Sequence, residues 1–149
     1  MKITLTRYHQ SATLTRSRFT AQLDTDPTAR LVCEAREPGN QVPSIGQWTH
    51  IPHPIPTGTH RCAVTTSDVS PMTVKVCQRR GTYRTIIGFD PIRQWRANMI
   101  ILGQADPTEP PEERTLDRQQ ETFNAFTALV YRAFAHGETI SIDVTEAFC

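Results

Sequence analysis

The sequence predicts a small β-rich α+β domain, a barrel or sandwich-like sheet with one C-terminal amphipathic helix packed on it. Three observations carry this expectation. Ile3 and Leu5 alternate with Thr4 and Thr6, the period-two pattern of a half-buried strand. Pro, Gly, Asn and Asp interrupt the chain at short intervals, as turns between strands do. One stretch alone repeats its apolar residues at helical spacing, with Phe123, Phe126, Val130, Ala133 and Phe134 on one face. The length of 149 residues suits one domain, which buries roughly 70% of its unfolded surface. Residues 1–149 are therefore read as a single unit without internal repeats.

The elements follow in order. Residues 2–8 form a first strand, and 12–16 and 18–23 read as two further short ones. Asp24-Thr25-Asp26-Pro27 turns the chain, because Asp side chains bond nearby backbone and Pro fixes φ. Residues 31–36 form the next strand, carrying Cys33. Residues 37–58 are a long Pro-rich loop, with Trp48 expected to anchor it. Residues 59–66, 72–79 and 82–89 read as a meander, and 99–102 as a short buried strand stopped by Gly103. Residues 104–114, with Pro107, Pro110, Pro111 and four acids, read as an exposed loop. Asp117 and Gln120 suggest a capping box for the helix, and His136-Gly137 suggests its end. Residues 139–144 alternate again as a closing strand.

The net charge of +1 conceals an asymmetry. Residues 1–105 hold 13 basic and 6 acidic groups, a balance of +7, whereas residues 106–149 hold 3 and 9, a balance of −6. Such a split is one sign of an interaction surface. Of the 16 basic residues 14 are Arg, suited to planar recognition of carboxylate or phosphate, although a GC-rich genome gives the same bias. Arg79, Arg80 and Arg84 surround one turn, and Arg93, Trp95 and Arg96 follow in a connector. Brought together they would make a basic patch with an aromatic face, able to contact phosphate or an acidic partner. The 106–113 stretch offers an acidic second surface.

Motifs for catalysis are sparse. There is no Gly-rich phosphate loop, no GxSxG and no HExxH. Cys33, Cys62, Cys77 and Cys149 lack any CxxC pair, so no zinc site of ordinary spacing is expected. Cys62 and Cys77 lie on the two arms of a hairpin, where they could face each other; free buried thiols are the expectation without an oxidising compartment. His50, His53 and His60 cluster near the Pro-rich loop, but their spacing matches no known metal site. No cofactor and no metal are expected. No apolar run approaches a membrane span, and the alternating start has no signal-peptide core, so the expected location is a host cytoplasm or a virion.

Lys2, Leu5, Arg7, Tyr8 and His9 stand close to a K-x-x-L-x-R-x-Y-H opening. Cys33-Glu34-Ala35-Arg36-Glu37 is similar to a C-x-x-x-E segment, and Ile55-Pro56-Thr57-Gly58-Thr59-His60 to I-P-x-G-x-Y. Gly103, Phe123 and Ile140-Ser141-Ile142 fill later places. In this order the features resemble a small domain family of unknown function found in phages, prophages and some bacteria. In that family an I-H-x-G-N segment followed by G-C-I-x-x-G is similar to the His and Cys signature of L,D-transpeptidase-like domains. Laid on this chain, the His place is Gly88 and the Cys place is Met99. A glycine takes no proton and a thioether is no useful nucleophile.

The resemblance implies a degenerate, non-catalytic relative. The expected function is a phage- or mobile-element-associated protein that binds a protein partner, as a virion component or an inhibitor of a host system. A cell-wall enzyme of L,D-transpeptidase-like type with a displaced nucleophile, Cys62 or Cys77, is the alternative. Nucleic-acid binding through the arginines is a second one.

Overall fold

The computed structural model describes residues 1–40, 54–65, 72–77, 85–88, 99–112 and 114–148. Its strands are β1 (Lys2–Gln10), β2 (Leu14–Gln22), β3 (Arg30–Pro38), β4 (Gly58–Thr65), β5 (Thr73–Cys77), β6 (Thr85–Gly88), β7 (Met99–Gly103) and β8 (Ile140–Glu146). One helix, α1 (Gln119–Ala135), precedes β8. The strands close into a barrel in the order β1-β2-β3-β7-β6-β5-β4-β8. Pairing is parallel at β1–β8 and at β6–β7, and antiparallel elsewhere. The meander expected from residues 59–89 is present as β4, β5 and β6.

An eight-stranded barrel is just wide enough for side chains to fill it. The registers place Ile3 and Leu5, Phe19 and Ala21, Cys33 and Ala35, and Ile100 and Leu102 on one face. Ile87, Val74, Val76, Cys62, Ile140, Ile142 and Val144 continue that face around the barrel. All of these side chains are buried in a single cluster. The helix adds Phe126, Leu129, Val130 and Ala133 to the same cluster, and the Phe126 ring meets Phe19 edge-on with centroids 5.6 Å apart.

A polar group lies inside the barrel, on the same face. Arg7 donates from Nε and Nη2 to the two carboxylate oxygens of Glu37, at 3.1 and 2.9 Å. Arg7 also donates to the carbonyl of Ile55, whose own N–H donates to Glu37 at 3.1 Å. The pair thus clamps the segment leading into β4, with Ile55 buried above it.

Several expectations are corrected. Residues 12–16 and 18–23 are not two strands: β2 runs unbroken and pairs with β3 over its whole length. Glu37 and Pro38 belong to β3 and not to the Pro-rich loop. Asp117 does not cap the helix. It forms a bridge with Gln104, and the helix starts after Arg118, which has φ 51° and makes no side-chain cap. Phe134 is 71% exposed and stands off the core, because the helix turns it away from the barrel. Cys62 is paired with Val76 while Cys77 is paired with Arg61, a one-residue offset that points the two thiols to opposite faces. Both are free.

The predicted helix end holds. Gly137 has φ 68°, and the N–H groups of Gly137 and Glu138 donate to Phe134 and Ala133 carbonyls. Trp48 and most of the Pro-rich loop, at 41–53, lie outside the described residues. Among the described residues no helix is long and apolar enough to cross a membrane.

Candidate functional site

The side of β1, β2 and β3 that faces away from the core carries a group of charged and polar side chains. Outward positions on β2 are Arg16 and Arg18, and their partners on β3 are Arg36 and Glu34. The register of β1 slips between Arg7 and His9, so Tyr8 is an extra residue there. Its hydroxyl donates to Glu34 at 2.8 Å. Burial, with Glu34 beside it, raises the Tyr8 pKa, so the phenol stays a neutral donor.

Residues 104–112 and Arg114 fold back over this face. Gly103 makes that possible, since a Cβ there would lie 2.9 Å from the Asp117 carbonyl oxygen. Gln104 and Asp117 exchange backbone hydrogen bonds at 2.7 and 2.8 Å. Arg114 ties the turn from within, donating to the carbonyls of Glu109 and Pro107, each at 2.9 Å. Its guanidinium also sits over the Tyr8 ring, 5.1 Å from the centroid. Arg16 donates to the Glu112 carbonyl at 3.2 Å and is only 8% exposed. Two arginines therefore fasten the acidic stretch to the basic barrel, and it is less a free second surface than part of the site.

Between the strands and this loop lies a cleft of about 420 Å³, lined by Tyr8, Arg18, Val32, Glu34, Gln104 and Arg114 among others. Arg18 is exposed in it and has no hydrogen bond or ion pair among the described residues. Its neighbour Glu34 is engaged by Tyr8 instead. The cleft thus presents one uncommitted guanidinium beside a second that stacks on a phenol. That combination suits a planar anion such as carboxylate or phosphate.

The sites expected from the sequence fare unequally. Arg79, Arg80, Arg84, Arg93, Trp95 and Arg96 lie outside the described residues, as do His50 and His53. Gly88 and Met99 are neighbours on adjacent strands, and a Cβ on Gly88 would lie 3.2 Å from Met99 Cε. Neither side chain can accept a proton or attack a carbonyl. Burial pushes the thiols of Cys33 and Cys62 up to about 12, which keeps them protonated near neutral pH. Cys77 is exposed. The His60 ring lies 2.7 Å from the Pro56 carbonyl, which makes Nε2 its protonated nitrogen. Among the described residues no group of three or more His, Cys, Asp or Glu is placed to hold a metal ion.

None of Tyr8, Arg18, Glu34 and Arg114 is among the site residues expected from the sequence, where Tyr8 and Glu34 enter only as letters of the resemblance. The available signal was the period-two spacing of Arg16 and Arg18, which puts both on one side of an unbroken strand. Dividing that strand at Ser17 hides it. Comparison of the chain with protein-family models, with curated proteins and with solved structures finds no match in any of the three.

Proposed function

We propose that this chain is a non-catalytic binding protein, phage- or mobile-element-associated, that recognises an anionic group on a protein partner through the Arg18–Arg114 cleft. It acts as a virion component or as an inhibitor of a host system. The observation that carries the reading is the uncommitted Arg18 guanidinium in a cleft whose other charged groups are already paired or stacked. Support for contact without turnover comes from the Gly88–Met99 neighbours, which stand where the resembling family has His and Cys, and from the protonated interior thiols. The phage association rests on the resemblance alone. Arg79, Arg80, Arg84, Arg93, Trp95 and Arg96 are proposed as a further contact surface, and no cofactor is required.

The test has two arms. Full-length protein is incubated with purified peptidoglycan, and the products are separated; the reading expects none, whereas fragments or cross-links that vanish in Cys77→Ser would establish the cell-wall enzyme instead. In parallel, immobilised wild-type protein and Arg18→Glu are compared for retention of a bacterial partner at rising salt. Loss of partner with Arg18→Glu and with salt supports the cleft. Retention that is lost on nuclease treatment would point to nucleic acid.

A further inference from the structure

Strand β3 is paired with β2 along all nine of its residues, but with β7 only at Glu34, Ala35 and Arg36. Beyond Gly103 the chain leaves the barrel: Gln104 bonds to Asp117 and not to β3. Among the described residues no strand pairs with the other edge of residues 30–33. Other strand ends among the described residues also outrun a neighbour, as 37–38 do on β3 and 63–65 on β4, but residues 30–33 are the stretch beside which two openings lie. A closed barrel normally leaves no edge at all, and an unpaired edge is a template for an added strand.

Openings lie on both sides of that edge. The outer one is the cleft of about 420 Å³ with Arg18, Arg114 and Val32. The inner one, on the helix side, is about 470 Å³ and is lined by Leu31, Asp106, Asp117, Glu121, Thr122 and others. Gln104 and Ala105 border both, so the two openings flank one seam.

We infer that residues 30–33 receive an extended segment of the protein partner as an added strand, with acidic side chains turned toward Arg18 and Arg114. Successive side chains of a strand alternate between its faces. The outer opening holds the Arg18 and Arg114 guanidiniums against Glu34, which Tyr8 engages, and the inner one holds Asp106, Asp117 and Glu121 against Arg118, beside Leu31 and Thr122. Charge complementarity therefore selects acidic residues at every second position and small or basic residues between them. Four residues along this edge span roughly 13 Å, the length of a short recognition strand. Main-chain hydrogen bonds give the affinity in such complexes, and the alternating side chains give the selectivity. The inference rests on the cleft reading above and names the form of its ligand.

The probe is a blocked eight-residue peptide alternating Glu and Thr, titrated into isotope-labelled full-length protein. Strand addition requires that only alternate amides of the peptide face the edge. Two N-methylated versions are therefore compared, one methylated at the Glu amides and one at the Thr amides. The expected result is a loss of at least tenfold in affinity for one version and little change for the other. Amide exchange at residues 31–33 should slow on binding, and a Lys/Thr peptide should bind at least tenfold more weakly. Equal binding of both methylated versions, or shifts confined to Arg18 and Arg114, would overturn strand addition while leaving the anion cleft intact. A dimer of this chain that protects residues 31–33 without peptide would also overturn it. Tight binding that Arg18→Glu leaves unchanged would contradict the cleft itself and the acidic specificity with it.

Discussion

Arg7 and Glu37 form a two-point ion pair inside the barrel, with side chains only 3% and 1% exposed, and both groups also bond the backbone of Ile55. Removing Glu37 leaves the buried guanidinium with only the more distant, half-exposed Glu146 carboxylate, 3.8 Å from Nη1. Glu37→Ala should therefore lower the unfolding free energy by about 3–5 kcal/mol in urea titration. The double variant Arg7→Met/Glu37→Leu should lose less than Glu37→Ala, because no uncompensated charge remains. Additive losses in the double variant would show that the clamp on Ile55 matters more than the charges.

The amino terminus supplies a second ion pair, with a readable pH dependence. The Met1 ammonium lies 2.8 Å from Glu138 and 2.9 Å from Asp24. Burial alone would raise the Glu138 pKa, but hydrogen bonds from Met1, Thr25 and Asp24 outweigh it and hold the group at about 2, below its ordinary 4.5. A depressed carboxylate stabilises the fold above its unfolded pKa and ceases to do so as pH falls through the folded one. The ammonium is shifted the other way, upward from 8.0, because the two carboxylates outweigh the effect of its burial. Its contribution is present below pH 8.0 and lost as pH rises through the raised value. Glu138→Gln should cost about 2 kcal/mol near neutrality. The difference from wild type should shrink toward pH 2 and again in alkali, as measured by thermal unfolding across pH.

Helix packing separates Phe126 from Phe134. Phe126 is fully buried against Phe19, so Phe126→Ala should destabilise by about 3–5 kcal/mol through cavity formation. Phe134 is 71% exposed, and Phe134→Ala should change stability by less than about 0.5 kcal/mol. Chemical denaturation of the two variants checks both.

This contrast shows how much of the molecule was legible in the sequence. Period-two alternation located the strands because each buries one face, as Ile3 and Leu5 do on β1. Barrel closure was not legible, since it depends on β1 pairing with β8, 139 residues apart in sequence, as in Lys2 with Ser141. Phe134 was misplaced because it stands one residue after Ala133, which does face the core, and helical spacing alone does not set how wide that face is. The supposed cap at Asp117 fits the local pattern, yet the bridge to Gln104 claims its backbone. The cleft was hidden for the same reason: Tyr8, Arg18 and Arg114 meet only through strand register and a returning loop.

Thiol reactivity should sort by face. In a Cys149→Ser background, Cys77 should react with a disulfide reagent within the native state, since it is exposed. Cys33 and Cys62 are buried, and burial holds both thiols at about 12, so they should react only as the protein unfolds. Timed labelling with mass analysis measures this. Fast native labelling of Cys62 would contradict its place inside the barrel.

Arg18 is the cleft cation that has no hydrogen bond or ion pair among the described residues. The most direct measurement is partner retention on immobilised full-length protein, wild type against Arg18→Glu, with both shown to be equally folded by circular dichroism. At least a tenfold loss of retained partner is expected for Arg18→Glu, with a wild-type signal that weakens with salt. Equal retention by the two proteins at every salt concentration would contradict it.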